Sequence, residues 1–230
     1  MADGEFRLRV CYSKAGRLRW LSHLEVIHAL ERSIRRARLD YAITHGFNPH
    51  MKVAFGPALP VGTAGENEYL DVWLKRYTTA EELLSRLVAA TPTDLAPFEA
   101  RFVGGNEPSL AAALTIATYD VDLTGKESSA NRVRDALESV IGTWTLSVEH
   151  KGKQKVFDLA RCLPKGVRVE DHMNGSRVSL TVRMGPEGSL RPDVLVRAAI
   201  RTASLSAAIS RTTRTDALIE RDEGVWARPV

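Results

Sequence analysis

The chain has 230 residues, enough for one large domain or two small ones that each bury a core. Its composition, 44% hydrophobic and 26% charged, is globular and excludes dominant disorder. A formal net charge of +4 is compatible with an anionic partner, and the two cysteines, Cys11 and Cys162, exclude a disulfide framework and an iron–sulfur or zinc site built from cysteines of this chain.

Phe6 to Ser13 (FRLRVCYS) alternates apolar and polar residues, as a strand does. A basic turn, KAGRLRW, leads to Ser22 and Glu25, whose S-x-x-E spacing forms a capping box and starts a helix. Leu24, Ile27, Leu30 (or Glu31) and Ile34 form its predicted inner face, with Arg32, Arg35, Arg36 and Arg38 pointing away. Short strands are predicted over Leu39 to Thr44 and Lys52 to Phe55, and Glu68 to Leu74 (EYLDVWL) alternates again. Thr78 or Thr79 caps a second helix, AEELLSRLVAA, and Pro97 to Val103 supplies a strand. After the linker GGNEPS the order repeats: strand Ile116 to Leu123, helix Ser128 to Ile141, strand Thr143 to His150, the turn KGKQK into Val156 to Leu159, strand Arg177 to Met184, a helix opened by Pro192, and a last strand over Ala207 to Thr213.

The expected architecture is therefore α+β, two tandem ferredoxin-like βαββαβ domains. The first covers residues 1–103 and carries the SHLE and GFNPH segments. A linker follows over 104–115, then a second domain over 116–230 with a basic hairpin. The N-terminus has no apolar signal core, and no run of about 18 apolar residues occurs, so a soluble cytoplasmic protein without a membrane partner is expected.

Thr44 to Gly62 (THGFNPHMKVAFGPALPVG) is too broken by glycine and proline for a helix, which marks a shaped loop. Its His45 and His50 flank an Asn-Pro turn and are the candidates for acid–base catalysis of RNA cleavage. They also suit metal, but no third ligand is obvious; Glu66, Glu68 and Asp71 qualify only if the fold brings them close, so no metal and no cofactor is expected. The alternative is a structural turn with a histidine holding backbone carbonyls.

Arginine and lysine supply the second constellation. Lys14, Arg17, Arg19, Arg32, Arg35, Arg36 and Lys52 could track a phosphate backbone, with Phe47 and Asn48 from the loop and Trp20 and Phe55 close in sequence. Lys151, Lys153 and Lys155 form a basic hairpin tip that could add to it, as could Arg161, Arg211 and Arg214. Solvated helix faces and core aromatics are the plainer account of the same residues. Phosphate-loop, dinucleotide, zinc-protease and esterase motifs are all missing from the sequence.

Several segments together resemble the radical-SAM-linked protein family. They are Lys14–Gly16 (K-x-G), Arg19–Glu25 (R-W-L-S-H-L-E), the arginine-rich helix Arg32–Arg38, Gly46–His50 (G-F-N-P-H), Glu68–Asp71 (E-Y-L-D), and later Lys151–Lys155 and Arg191–Val196. The chain departs from that pattern at Gly65, where a serine is more frequent. The resemblance implies a protein found beside, or fused to, a radical-SAM enzyme with a cobalamin-binding type domain. Lacking cluster cysteines, this chain would be the accessory or substrate-binding partner, and the resemblance transfers no catalytic residue. The leading expectation is RNA binding through a basic groove on behalf of that enzyme. The alternative is a metal-independent endoribonuclease using His45 or His50, since tandem ferredoxin-like folds with a histidine in the first domain also process CRISPR RNA. The glycine-rich C-terminal loop usual in those nucleases is missing.

Overall fold

The computed structural model describes residues 5–150, 152–185, 189–222 and 224–229, the side chains of His150 and Lys153 excepted. The chain is a mixed α+β protein that divides into two compact units, Met1–Leu114 with Ala227–Val230, and Thr115–Trp226.

In the first unit, β1 (Phe6–Lys14) pairs antiparallel with β3 (Ala64–Leu74) on one edge and β4 (Pro97–Val103) on the other. The short β2 (Val53–Phe55) pairs antiparallel with β3, so Val72 stands between Leu8 and Val53. Helices α1 (His23–Arg36) and α2 (Ala80–Ala90) cover one face, where Leu8, Val10, Leu70 and Val72 meet Val26, Leu30, Ile34, Leu83 and Leu87. Both helix starts follow from local chemistry. Ser22 and Glu25 form the full capping box, and the Thr79 hydroxyl accepts from Glu82 N–H.

The predicted phase of α1 needs correction. Its buried stripe is Val26, Leu30, Ser33 and Ile34, while Leu24 is 65% exposed. Residues four apart set the stripe, and Leu24, two positions before Val26, lies about 200° around the helix from it. Nor is Leu39 to Thr44 a strand: it makes only single bridges, Tyr41 to Leu74 and Ile43 to Met51.

Alternation in β1 would send Arg7 and Arg9 to solvent. Instead the second face of the sheet is also buried. Asp71 is fully buried and accepts from both arginines: Arg7 Nε and Nη2 at 2.9 and 2.5 Å, Arg9 Nε and Nη2 at 2.8 and 3.1 Å. Arg7 also donates to the carbonyls of Glu107 and Pro108, and Arg9 and Arg101 to that of Pro229. Residues 107–108 and Pro229 are thus tied to this face of the sheet by guanidinium donors at 2.6 to 3.2 Å. The expected linker 104–115 is accordingly structured in part: α3 (Leu110–Ala113) buries Leu110 and Ala113, and β5 begins at Leu114.

The second unit has strand order β10-β5-β9-β8, from β5 (Leu114–Thr124), β8 (Val167–His172), β9 (Gly175–Arg183) and β10 (Ala208–Asp222). Helices α4 (Ala130–Ile141) and α6 (Pro192–Thr202) bury Val133, Leu137, Leu195 and Val196 against Val121, Leu123 and Val178. Two sequence expectations change here. The strand expected at Thr143 to His150 exists as β6 (Thr145–His150), but it pairs with β7 (Lys153–Asp158) in a separate two-stranded sheet. The strand that joins the main sheet is β8, unrecognised because VRVEDH buries only Val169. After β7 a single helical turn, α5 (Leu159–Cys162), leads toward it. The last strand, β10, extends to Asp222, well past Thr213. No helix among the described residues is long and apolar enough to cross a membrane.

Candidate nucleic-acid interface

At the end of β1, Lys14 turns inward. It is 2% exposed, and its ammonium donates to the Leu21 carbonyl at 2.8 Å, bracing the 3-10 turn Gly16–Trp20. Asp94 holds the other end, its carbonyl accepting from Ala15 N–H at 2.8 Å and its carboxylate from Arg17 N–H at 3.2 Å. Lys14 therefore leaves the predicted cationic surface and becomes part of its support. Tyr12, Lys14, His23 and Glu68 surround a cavity of about 10 Å³, room for about one water. The K-x-G, SHLE and EYLD segments meet at this buried polar spot, and His23 packs edge-on against Phe55 at 5.9 Å.

The braced turn presents Arg17, Arg19 and Trp20. Arg17 is exposed, Trp20 is 59% exposed, and the Arg19 guanidinium lies 5.3 Å from the indole centroid. Farther along, Arg32, Arg35 and Arg36 are exposed on the outer face of α1. Arg35 pairs loosely with Glu31 one turn back, at 3.4 Å. Arg38, with φ of 52°, ends the helix, and Arg86 from α2 donates to the carbonyls of Ala37 and Arg38. From the N-terminus of α1 to Arg36 is about 20 Å, so the arginines form a strip rather than one cluster. At the strip's start the Ser22 hydroxyl and N–H hold the Glu25 carboxyl below its usual range, an effect of the cap.

The loop is a closed lobe. Thr44 N–H donates to the His50 carbonyl at 2.8 Å, and His50 N–H to the Thr44 hydroxyl at 3.2 Å. The His50 ring Nδ1 lies 3.1 Å from Thr44 Oγ1 and 3.2 Å from the Asn48 carbonyl. His50 is therefore engaged in shaping the turn. His45, Phe47 and Asn48 are exposed on the lobe, Phe47 completely. His45 alone of the two lines a cleft of about 740 Å³, with Glu5, Asp40, Ile43, Lys75 and Arg76. Lys52 pairs with Glu5 and lies 5.3 Å from the Trp73 ring, so its charge is locally offset. Of the possible further metal ligands, Glu66 is exposed while Glu68 and Asp71 are buried, Asp71 between its two arginines; among the described residues no group of three or more metal-ligating side chains forms.

In the second unit, Lys155 lies 4.9 Å from the Phe157 ring. Lys151 and the side chain of Lys153 lie outside the described residues. Arg161 and Arg211 are exposed, whereas Arg214 is buried. A cluster that sequence reasoning missed lies on β5, β8 and β9. Arg177 grips Asp122 at 2.7 and 3.2 Å, reaches Asp120 at 3.5 Å and donates toward His172 Nε2 at 3.0 Å, while Ser179 donates to Asp120. Its hydrogen bonds to Asp122 hold the Arg177 proton more tightly than usual. The cluster reverses the charges of the first unit, where two arginines on β1 flank one aspartate on β3. The Asp120/Asp122 alternation was visible in the sequence, but the partner opposite was set by register. Neither cysteine has a nucleophile's environment: burial pushes the Cys11 thiol up to about 12 and raises Cys162 as well.

Among solved structures, a chain in the crystal structure of a Cbf5-Nop10-Gar1 complex is similar, with a TM-score of 0.51 and 10% sequence identity. The likeness covers 94% of this chain and 50% of that one, so the protein spans about half the length of its structural relative and shares a fold with it. No curated protein matches the sequence. A family model described as an uncharacterized protein conserved in bacteria (DUF2344) matches residues 7–192, and the chain belongs to that family.

Proposed function

We propose that this protein is an accessory, substrate-binding partner of a radical-SAM enzyme and holds RNA along the arginine strip of its first unit. The observation that carries the reading is the exposure of Arg32, Arg35 and Arg36 on one outer face of α1, with Arg17 exposed and Arg19 half-buried on the braced turn that precedes the helix. Guanidinium groups spaced along a rigid helix suit successive phosphates better than flexible lysines would. The link to a radical-SAM enzyme rests on the motif resemblance of the SHLE, GFNPH and EYLD segments. The fold belongs to the same proposal. Each unit reads as a ferredoxin-like βαββαβ: its first strand lies between the third and fourth, and its second strand lies outside the third, with the β6–β7 hairpin inserted in the second unit.

Binding of labelled RNA as a function of salt tests the reading. Engagement of about four phosphates gives a slope of roughly −3 in log K against log salt, a loss of roughly 50-fold between about 50 and 200 mM. Replacing Arg32 and Arg36 by glutamate brings that slope closer to zero by roughly 0.7 for each arginine. Salt-independent binding, or a double variant that binds as wild type does, overturns the proposal.

A second reading has one observation in its favour: His45 lines the large cleft. If the protein is an endoribonuclease, it cleaves RNA in the presence of a chelator and His45→Ala abolishes cleavage, whereas His50→Ala acts only through the lobe. On the recognition reading the wild-type protein leaves RNA intact under these conditions, and cleavage lost in His45→Ala replaces that reading with catalysis.

A further inference from the structure

We infer that Trp20 is a stacking platform for an unpaired base, which makes single-stranded RNA the substrate class; the inference rests on the RNA-binding reading and narrows it. A large indole normally packs inward, yet Trp20 is 59% exposed while the turn that carries it is held at both ends, by Lys14 on Leu21 and by Asp94 on Ala15 and Arg17. The exposure therefore belongs to a braced element. The loop backs the ring. Gly62 donates to the Arg19 carbonyl at 2.9 Å and has φ of +86°, and a β-carbon there would lie 2.8 Å from the six-membered ring. Glycine allows the backbone to approach the indole closely without covering the rest of it.

The chemistry around the ring selects the ligand. The Arg19 guanidinium lies over the indole, 5.3 Å from its centroid, and Arg17 is exposed on the same turn, so cationic donors stand against a ring that remains 59% exposed. A nucleotide offers the complement, a flat base for the indole and a phosphate for the arginines. Val61 and Leu24, 58% and 65% exposed, supply aliphatic surface on the neighbouring loop and helix. Paired bases in an A-form duplex keep their faces stacked on one another, so only an unpaired base can use the platform. A protein partner with an apolar patch would meet the same residues, but it would not discriminate between single-stranded and duplex RNA.

The test compares wild type, Trp20→Ala and Trp20→Phe in binding an oligoadenylate of about 12 nucleotides and a duplex RNA of the same length, with thermal melting as a check on folding. Wild type is expected to prefer the single strand. Trp20→Ala is expected to lose roughly tenfold on the single strand and little on the duplex, while Trp20→Phe stays within about threefold of wild type. Quenching of tryptophan emission by the oligonucleotide should disappear in Trp20→Phe. If Trp20→Ala binds the single strand as wild type does, or weakens both RNAs equally, the stacking inference is overturned and salt-dependent binding by the arginines stands. If wild type binds neither RNA in a salt-dependent way, the RNA reading fails as well. Should Trp20→Ala not fold, loss of the quenching in a folded Trp20→Phe still decides, and quenching that persists there counts against the platform.

Discussion

Asp71→Ala is expected to cost about 3 to 5 kcal/mol of unfolding free energy. The carboxylate is fully buried and is the shared partner of Arg7 and Arg9, themselves 6% and 1% exposed. Removing it leaves two guanidinium charges facing each other away from water, with the carbonyls of Glu107, Pro108 and Pro229 as their remaining acceptors among the described residues. A loss of that size is a large part of the 5 to 15 kcal/mol typical of a folded domain. Urea denaturation followed by circular dichroism measures it. A change below about 1 kcal/mol would show that water reaches the arginines and that the network is not closed. Because the same arginines hold the carbonyls of Glu107, Pro108 and Pro229, the neighbouring amides of Glu107, Ser109 and Arg228 should exchange faster before those of α1 or α2 do.

Gly175→Ala is expected to destabilise the second unit by about 2 to 3 kcal/mol or more, through a clash rather than a lost contact. Gly175 opposes Thr124 at the end of the β5–β9 ladder. A β-carbon at this position would lie 2.0 Å from the Leu123 carbonyl oxygen and 2.9 Å from the Ser128 hydroxyl. Backbone cannot rotate away as a side chain can, so the ladder must open or β9 must shift. Gly104→Ala is the matched control, since nothing lies within 4 Å of a β-carbon there; it should change stability by less than about 0.5 kcal/mol. Thermal melting of both variants gives the comparison. Equal melting temperatures would mean that β9 accommodates the methyl group and that the close approach has no energetic weight.

Some of the site was legible from residues alone. The capping box at Ser22 and Glu25, the Thr79 cap and the strand over Pro97 to Val103 appear where the sequence places them. The exposure of the α1 arginines also follows from helical spacing. Membership of an uncharacterised bacterial family agrees with the coarse form of the motif resemblance. The basic surface fared less well residue by residue. Lys14 faces inward, Lys52 is paired with Glu5, and His50 closes its own turn, while Arg17, Arg32, Arg35 and Arg36 of the expected set are exposed.

By itself, then, the sequence determined the elements whose hydrogen bonds close within about four residues: the helix starts and their caps. Only the tertiary structure decided which strand faces are buried twice. Arg7 and Arg9 look solvent-facing in FRLRVCYS and become core residues because Asp71, Glu107, Pro108 and Pro229 come from far along the chain to satisfy them. The same holds for β8, whose polar sequence joins the main sheet because β9 pairs with it, while the more strand-like β6 is drawn into a hairpin with β7. The physical reasons differ: β8 meets β9 across a short hairpin, with His172 opposite Gly175, whereas Arg7 and Arg9 depend on distance along the chain. A polar side chain can be buried once distant partners meet its hydrogen-bonding needs, and a local pattern contains no record of partners more than 60 residues away.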